Sequence, residues 1–188
     1  MTMPDVRRTR LVLAGVATAV LAADQLTKSV AVYLVDDRTV DWGPISLSAT
    51  RNTGGPFGVG SSWPAVWLLF AVAGAAVAVW AFVRVDRLDG VTVAGAIVVG
   101  GVYGNLLDRV VRGRTGGATG VVDWITVEPY PYAFNLADVA LRLGAVALIV
   151  AVWRQRPNTV TARSLPPEAE SSITNLVGPH TATDPRGH

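Results

Sequence analysis

The chain contains no cysteine and almost no histidine. Among its 188 residues the only two histidines, His180 and His188, lie in the polar C-terminal segment. Disulfide bonds, thiolate metal sites and a cysteine nucleophile are therefore excluded. A Ser-His-Asp triad or a histidine-ligated metal inside the fold is not expected either. Any chemistry must come from carboxylates, amides, hydroxyls, arginine or the single lysine, Lys28.

Charged residues are also scarce. They make up 16% of the chain, whereas hydrophobic residues make up 51% and the mean hydropathy is +0.40. Soluble domains usually carry about 25% charged residues, so the composition predicts a membrane protein. The net charge of +2 comes mainly from arginines that flank apolar segments, where they set topology and contact headgroups. No basic cluster with interleaved aromatic residues is present, so nucleic acid is not predicted as a partner.

Four apolar segments are long enough to cross a hydrocarbon core of about 30 Å, which requires about 20 helical residues. They are Leu11–Leu34, Pro64–Val83, Val91–Val111 and Ala133–Trp153. Helices are expected because lipid offers the backbone no hydrogen-bond partner. The sequence thus predicts an all-α membrane protein with four transmembrane helices in residues 1–156. Residues 157–188, rich in Pro, Thr, Ser and charge, are predicted to be a disordered cytoplasmic tail.

The arginine pattern predicts the orientation of the four helices. Arginines precede the first span, occupy the short connection after the second and follow the fourth: Arg7, Arg8, Arg10, Arg84, Arg87, Arg154 and Arg156. Since cytoplasmic loops are rich in Lys and Arg, both termini are expected in the cytoplasm. The long loop between the first two spans alternates apolar residues around Gly43 and Pro44. This loop is predicted to form a small β-like region at the extracytoplasmic surface.

Polar side chains inside the spans share one depth. Ionisable residues there are costly, so each is a candidate functional residue. The second span contains none and is expected to face lipid. Helical spacing places the polar residues of the third and fourth spans on single stripes, and Gly100 and Gly104 allow close helix packing. The candidates are Asp24, Lys28, Gly101, Asn105, Asp108, Arg109, Asn135, Asp138 and Arg142. Asp123, from the loop between the third and fourth spans, could join them.

Each candidate also has a structural interpretation. Asp24 and Lys28 are spaced as an ion pair within one helix. Asp108 and Arg109 are placed to cap a helix end, and Arg142 is spaced to neutralise Asp138. Asp123 alone is an ordinary loop carboxylate. The common depth of these groups favours a functional site but does not name a reaction.

Five motifs in this order resemble those of the lipoprotein signal peptidases (signal peptidase II). The resemblance covers Asp24 to Arg142. The motifs are Asp24-Gln25-x-Thr27-Lys28, Asn52-Thr53-Gly54-Gly55-Pro56-Phe57, Gly100-Gly101-x-x-Gly104-Asn105-Leu106-Leu107-Asp108-Arg109, Val121-Val122-Asp123-Trp124-Ile125 and Phe134-Asn135-Leu136-Ala137-Asp138.

This resemblance implies an aspartic peptidase of the bacterial cytoplasmic membrane. Such an enzyme cleaves prolipoproteins before a diacylglyceryl-modified cysteine at the extracytoplasmic face. Asp123 and Asp138 match the catalytic pair of the family. Positions that support or line the site are matched by Asp24, Lys28, Asn52, Gly101, Asn105, Asp108, Arg109 and Asn135. No metal or cofactor is implied. The expected partners are lipidated prolipoproteins and membrane lipid, and the chain is expected to be monomeric.

Three positions depart from the family pattern. The Gly-rich segment Gly113–Gly120 is longer than usual, Gly55-Pro56 stands where two small residues are usual, and Arg142 occupies a position expected to be apolar.

The alternative function is a small polytopic carrier with an intramembrane Asp/Lys/Arg site. Carriers are expected to contain inverted repeats with sites near the midplane, and the chain has no evident repeat. An assembly subunit is a further alternative.

Overall fold

The computed structural model describes residues 3–35, 38–112 and 120–155. It contains four long helices, α1 Met3–Val35, α2 Pro64–Phe82, α3 Gly90–Val110 and α4 Leu136–Arg154. All four are long and apolar enough to cross a membrane, which confirms the prediction of a multi-pass membrane protein. The predicted tail at 157–188 and most of the Gly-rich segment, residues 113–119, lie outside the described residues.

The helix ends differ from the predicted spans at two places. Helix α1 begins at Met3 instead of Leu11, so the N-terminal arginines lie on the helix. Helix α4 begins three residues later than predicted because Asn135 caps it. The Asn135 side chain accepts a hydrogen bond from the Asp138 amide at 2.9 Å, and the Asp138 carboxylate accepts one from the Asn135 amide at 3.3 Å. This reciprocal capping box fixes where the helix starts.

The loops at one end of the helices form a four-stranded antiparallel sheet. Its strands are β1 Val40–Trp42, β2 Ile45–Asn52, β3 Val121–Val127 and β4 Tyr130–Phe134, in that spatial order. The predicted β-region before α2 is confirmed as the β1–β2 hairpin. The segment before α4 was not predicted as strand, yet β3 and β4 arise from it, and β3 pairs with β2 across the molecule.

Helix α3 lies at the centre of the bundle and packs against the other three helices. Glycines permit the close contacts. A Cβ atom on Gly100 would lie 2.6 Å from the Ala17 carbonyl of α1, and one on Gly101 would lie 2.8 Å from the Ala137 carbonyl of α4. The predicted close packing at the glycine pair is therefore confirmed. Helix α2 packs mainly against α3 and buries only 6% of its most apolar window, as expected for a lipid-facing helix.

The end opposite the sheet is joined by polar contacts between helix termini. Arg10 of α1 donates hydrogen bonds to the carbonyls of Val83 and Val85, just beyond α2. Gln155, after α4, donates to the carboxylate of Asp89, which caps α3. The arginine-rich segments thus lie together at one end of the bundle, and the sheet lies at the other.

Candidate active site

The two candidate catalytic carboxylates come from different elements. Asp123 is the third residue of β3, and Asp138 lies in the first turn of α4. Two asparagine amides connect them. Asn135 donates to the Oδ1 atom of Asp123 at 2.6 Å and to the Oδ1 atom of Asn105 at 3.2 Å. Asn105 in turn donates to the Oδ1 atom of Asp138 at 3.0 Å. Strand, loop and helix thereby bring both carboxylates to one place.

Asp123 lies in a buried, electrostatically strained position. Its side chain is almost fully buried, with 3% of the residue exposed, and Asn52 donates to its Oδ2 atom at 3.0 Å. Burial, and then the nearby carboxylate of Asp138, raise the pKa of Asp123 to about 6, although the hydrogen bonds from Asn52 and Asn135 oppose the shift. Burial disfavours the charged form of a carboxyl group. Asp123 therefore titrates close to neutrality.

Asp138 has a more polar environment than Asp123. It is only partly buried and occupies the first turn of α4, at the positive end of the helix dipole. Its two oxygens accept hydrogen bonds from Asn105 and from the backbone of Asn135. Asp138 is thus more exposed than Asp123 and is held in place by these two donors.

A fully buried ionic cluster lies next to the carboxylate pair. The Nζ atom of Lys28 lies 2.8 Å from Asp24 Oδ2, 2.9 Å from Asp108 Oδ2 and 3.0 Å from Asn105 Oδ1. Lys28, Asp24 and Asp108 are each 0% exposed. The ion pair expected between Asp24 and Lys28 is present, and it belongs to a larger ionic cluster that joins α1 to α3.

This cluster also holds the backbone on both sides of the site. Asp24 Oδ1 accepts a hydrogen bond from the amide of Ala137, the residue before Asp138, at 2.8 Å. Asp108 Oδ2 accepts one from the amide of Val122, the residue before Asp123, at 3.0 Å. Each carboxylate of the cluster thus fixes the residue that precedes a candidate catalytic aspartate.

Sequence analysis did not assign roles to two members of this cluster. Gln25 donates through Nε2 to Asp24, to the Gly104 carbonyl and to Asp108, at 3.2, 3.0 and 3.1 Å. Arg112 lies 3.2 Å from Asp108 Oδ1 through its Nε atom. Gln25 belongs to the first motif, and Arg112 follows Asp108 by four residues, so both signals were present in the sequence.

Arg109 is a buried cation, and only part of its guanidinium group is hydrogen-bonded by the described residues. It is 8% exposed, and its Nη2 atom donates to the Gly54 carbonyl at 2.8 Å. Its buried Nη1 atom has no hydrogen-bond partner among the described residues. Asp108, the preceding residue, pairs instead with Lys28 and Arg112.

A cavity of about 370 Å³ opens at the carboxylate pair. It lies between α2 and α4, with Val102 of α3 and the loop after β2 also lining it. Gly101 does not line it, but its lack of a side chain lets α4 approach α3. The lining residues are Asn52, Gly55, Pro56, Phe57, Trp67, Phe70, Ala71, Gly74, Val102, Asn105, Arg109, Val121, Asp123, Tyr132, Ala133, Asp138, Leu141 and Arg142.

Two structural interpretations of the carboxylates are wrong. Asp138 is not neutralised by Arg142, because no ion pair joins them in the part of the chain that the structure describes. Arg142 instead points to the ring of Phe134, 5.9 Å from its centre. Asp123 is not an exposed loop carboxylate, since it lies on a central strand and is buried. Across the described ranges, no three carboxylate or histidine side chains form a group suited to a metal ion.

Comparisons with known proteins agree with the motifs. The profile of the family described as Signal peptidase (SPase) II matches residues 16–154. A lipoprotein signal peptidase of Rhodococcus jostii is 34% identical over 151 residues, covering 78% of this chain and 75% of the relative. Proteins of the same name from Syntrophotalea carbinolica and Bifidobacterium adolescentis are each 35% identical. They cover 76% and 81% of this chain and 91% and 83% of the relatives.

The fold is also similar to a solved structure. That structure, a bacterial membrane enzyme determined by the in meso method at 2.3 Å resolution, superposes with a TM-score of 0.65 at 24% identity. The match covers 79% of this chain and 91% of the other. With a family profile that spans most of the chain and relatives above 30% identity, this chain belongs to the signal peptidase II family of membrane proteases.

Proposed function

We propose that this protein is an aspartic-type lipoprotein signal peptidase with Asp123 and Asp138 as its catalytic pair. The observation that carries the proposal is the pair itself, because two carboxylates from β3 and α4 are bridged by Asn135 and Asn105 at a cavity between α2 and α4. The relatives are named lipoprotein signal peptidases. The proposed substrate is accordingly a prolipoprotein, cleaved before its diacylglyceryl-modified cysteine as the resemblance of the five motifs implies.

The different surroundings of the two carboxylates divide their roles. Asp123, whose pKa is raised to about 6, carries the proton of the resting pair. Asp138, the partner carboxyl group, is assigned the role of the base because Asp123 holds the proton. Two close carboxyl groups share one proton because both cannot easily ionise together. The pair therefore contains one acid and one base before substrate arrives.

Hydrolysis then proceeds by two proton transfers at each carboxyl group. Asp138 takes a proton from water as the water oxygen attacks the scissile carbonyl carbon, while Asp123 gives its proton to the carbonyl oxygen. Asp138 next donates its new proton to the leaving nitrogen, and the C–N bond breaks. Asp123 recovers a proton from the hydroxyl group as the C=O bond reforms, which restores the starting state.

Arg109 and Asn52 are proposed to position the substrate. The Nη1 atom of Arg109 is buried beside the cavity without a partner among the described residues, so it is available to a substrate carbonyl oxygen. Asn52 lines the same cavity and orients Asp123. Donors held in place before the reaction stabilise negative charge at little reorganisation cost. Asp24, Lys28, Asp108 and Gly101 support the pair from outside the cavity, and Asn105, which lines the cavity, links Asp138 to Asn135.

The site lies at the end of the bundle that carries the sheet. We infer that this end faces the extracytoplasmic side of the cytoplasmic membrane and that both termini are cytoplasmic, since the arginine-rich segments lie at the other end. Residues 1–156 form the peptidase domain in this proposal. The enzyme is proposed to act as a monomer. A carrier is not favoured, because the charged groups lie at one end of the bundle and are largely paired with one another.

The test uses purified protein in detergent with a diacylglyceryl-modified prolipoprotein. Release of the signal peptide is followed on a gel for the wild type, Asp123→Asn and Asp138→Asn. Only the wild type is expected to cleave, and only the lipidated substrate. Asp41→Asn, which changes an exposed carboxylate on β1, is the matched control and should cleave normally. Cleavage by Asp138→Asn at a substantial fraction of the wild-type rate would contradict the proposed pair.

A further inference from the structure

Arg142 is a cation on a membrane-spanning helix, and the described residues provide no partner for its charge. It lies in the second turn of α4 and is exposed. Within the described ranges its guanidinium makes no hydrogen bond and no ion pair, and its one recorded interaction is the contact with the Phe134 ring at 5.9 Å. The proposed reaction does not use it. A charge in this position therefore needs another explanation.

The position of Arg142 places its charge near the level of lipid headgroups. Residue 142 lies about 9 Å along α4 from Leu136, at 1.5 Å per residue. Side chains on a helix tilt towards its N-terminus, which here is the end that carries the sheet. The guanidinium accordingly reaches back to Phe134, which precedes the helix. Arginine inside a span normally extends in this way to the interface while its methylene groups stay in apolar surroundings.

The surroundings of Arg142 are otherwise suited to acyl chains. It lines the cavity between α2 and α4, whose deeper wall is apolar and built from Ala71, Gly74, Val102 and Leu141. These residues define a groove between α2 and α4. Its walls are apolar, and its exposed cation is Arg142, since the other arginine that lines the cavity, Arg109, is buried and donates to the Gly54 carbonyl. This arrangement matches a molecule with acyl chains and an anionic head.

Phosphate is the anion that this arrangement fits best. The planar guanidinium binds phosphate oxygens through two parallel N–H groups, and such charge-assisted contacts are stronger than contacts with neutral acceptors. An ester carbonyl would leave the positive charge uncompensated beside hydrocarbon, which is costly. We propose that Arg142 binds the phosphate of an anionic phospholipid whose acyl chains lie in the groove between α2 and α4.

The test measures lipid retention by native mass spectrometry of the full chain released from detergent. Phosphatidylglycerol is the probe, and diacylglycerol, which has the same chains without phosphate, is its comparison. The wild type is expected to retain phosphatidylglycerol and not diacylglycerol. Arg142→Leu should weaken retention by about tenfold or more, and Arg142→Lys should restore part of it. Arg51→Leu, which removes an exposed arginine on β2 outside the groove, should retain lipid as the wild type does.

Three results would overturn the proposal. One is equal retention of phosphatidylglycerol by Arg142→Leu and the wild type, and a second is equal retention of diacylglycerol and phosphatidylglycerol by the wild type. The third is retention of inorganic phosphate by the wild type without retention of phosphatidylglycerol, which would identify a site for free phosphate and not for a lipid. A cooperative melting curve for Arg142→Leu establishes that the variant is folded. Because the readout is binding, it is independent of whether the protein cleaves prolipoproteins.

Discussion

Removal of the Lys28 charge tests how the buried ionic cluster holds the fold. In Lys28→Met the hydrocarbon stem is largely preserved, but the ammonium group that lies within 3 Å of two carboxylates is lost. Asp108 keeps its contact with the partly exposed Arg112. Asp24 is fully buried, and its other described partners, the Gln25 amide and the Ala137 backbone, are neutral donors. The variant thus buries one carboxylate without a countercharge.

The expected cost follows from that uncompensated charge. Removing one member of a buried ion pair typically costs about 3–5 kcal/mol, since the partner keeps its desolvation penalty without the attraction. For a chain of this size, about 3–5 kcal/mol lowers the melting temperature by roughly 6–20 °C. Cleavage activity should fall as well, because Asp24 holds the amide of Ala137 just before Asp138.

The assay is thermal unfolding in detergent, followed by circular dichroism, with the double variant Lys28→Met/Asp24→Asn as its partner. The Asp24→Asn change restores neutrality, and the side-chain amide oxygen that it introduces still accepts from Ala137, so the double variant should melt above the single one. The reasoning is refuted if Lys28→Met melts within about 2 °C of the wild type, which corresponds to less than 1 kcal/mol. It is also refuted if Asp24→Asn adds to the damage instead of relieving it.

Three further predictions concern Asp123 and the helix contacts. First, kcat/KM should fall as pH rises through about 6, since Asp123 then loses the proton it donates, and a pH–rate profile that rises there would contradict this role. Second, the pKa of Asp123 lies above its ordinary 3.8, so between pH 4 and 6 the folded chain binds more protons and its stability falls as pH rises. Relative to Asp123→Asn, the wild type should lose on the order of 2 kcal/mol over that range in thermal melts, and an unchanged difference would be against it. Third, Gly104→Ala places a Cβ 2.6 Å from the Asp24 carboxylate and should lower melting temperature and activity, whereas Gly95→Ala on the same helix meets nothing within 4 Å and should be neutral or stabilising.

The helices were predictable because a bilayer requires only a long apolar segment whose backbone groups bond to one another. About 20 apolar residues in a helix meet this requirement, so α2 and α3 were predicted within one residue of their bounds. The start of α4 was not, because the apolar pattern continues through Ala133 and Phe134. Only the reciprocal capping by Asn135 and Asp138 moves the boundary. The start of α4 is therefore set by a local pair of hydrogen bonds, which a hydropathy pattern does not contain.

The sheet could be predicted from the sequence only in part. The β1–β2 hairpin is local and has its turn residues in place at Gly43 and Pro44, so alternation predicted it. Strand β3 pairs with β2 although about 70 residues separate them, as between Thr50 and Asp123. Nothing in the local pattern of β3 specifies that partner. Non-local pairing therefore made Asp123 a buried strand residue, whereas its sequence neighbourhood was equally consistent with a surface loop.

The buried cluster explains how two carboxylates can be held together in a chain with so few polar residues. Their mutual repulsion would separate them unless each element were fixed independently. Lys28 provides this, because it attracts Asp24, which holds the start of α4, and Asp108, which holds β3. One positive charge on α1 thereby fixes both elements that carry the pair. The desolvation cost of the cluster is thus linked to the geometry on which the proposed reaction depends.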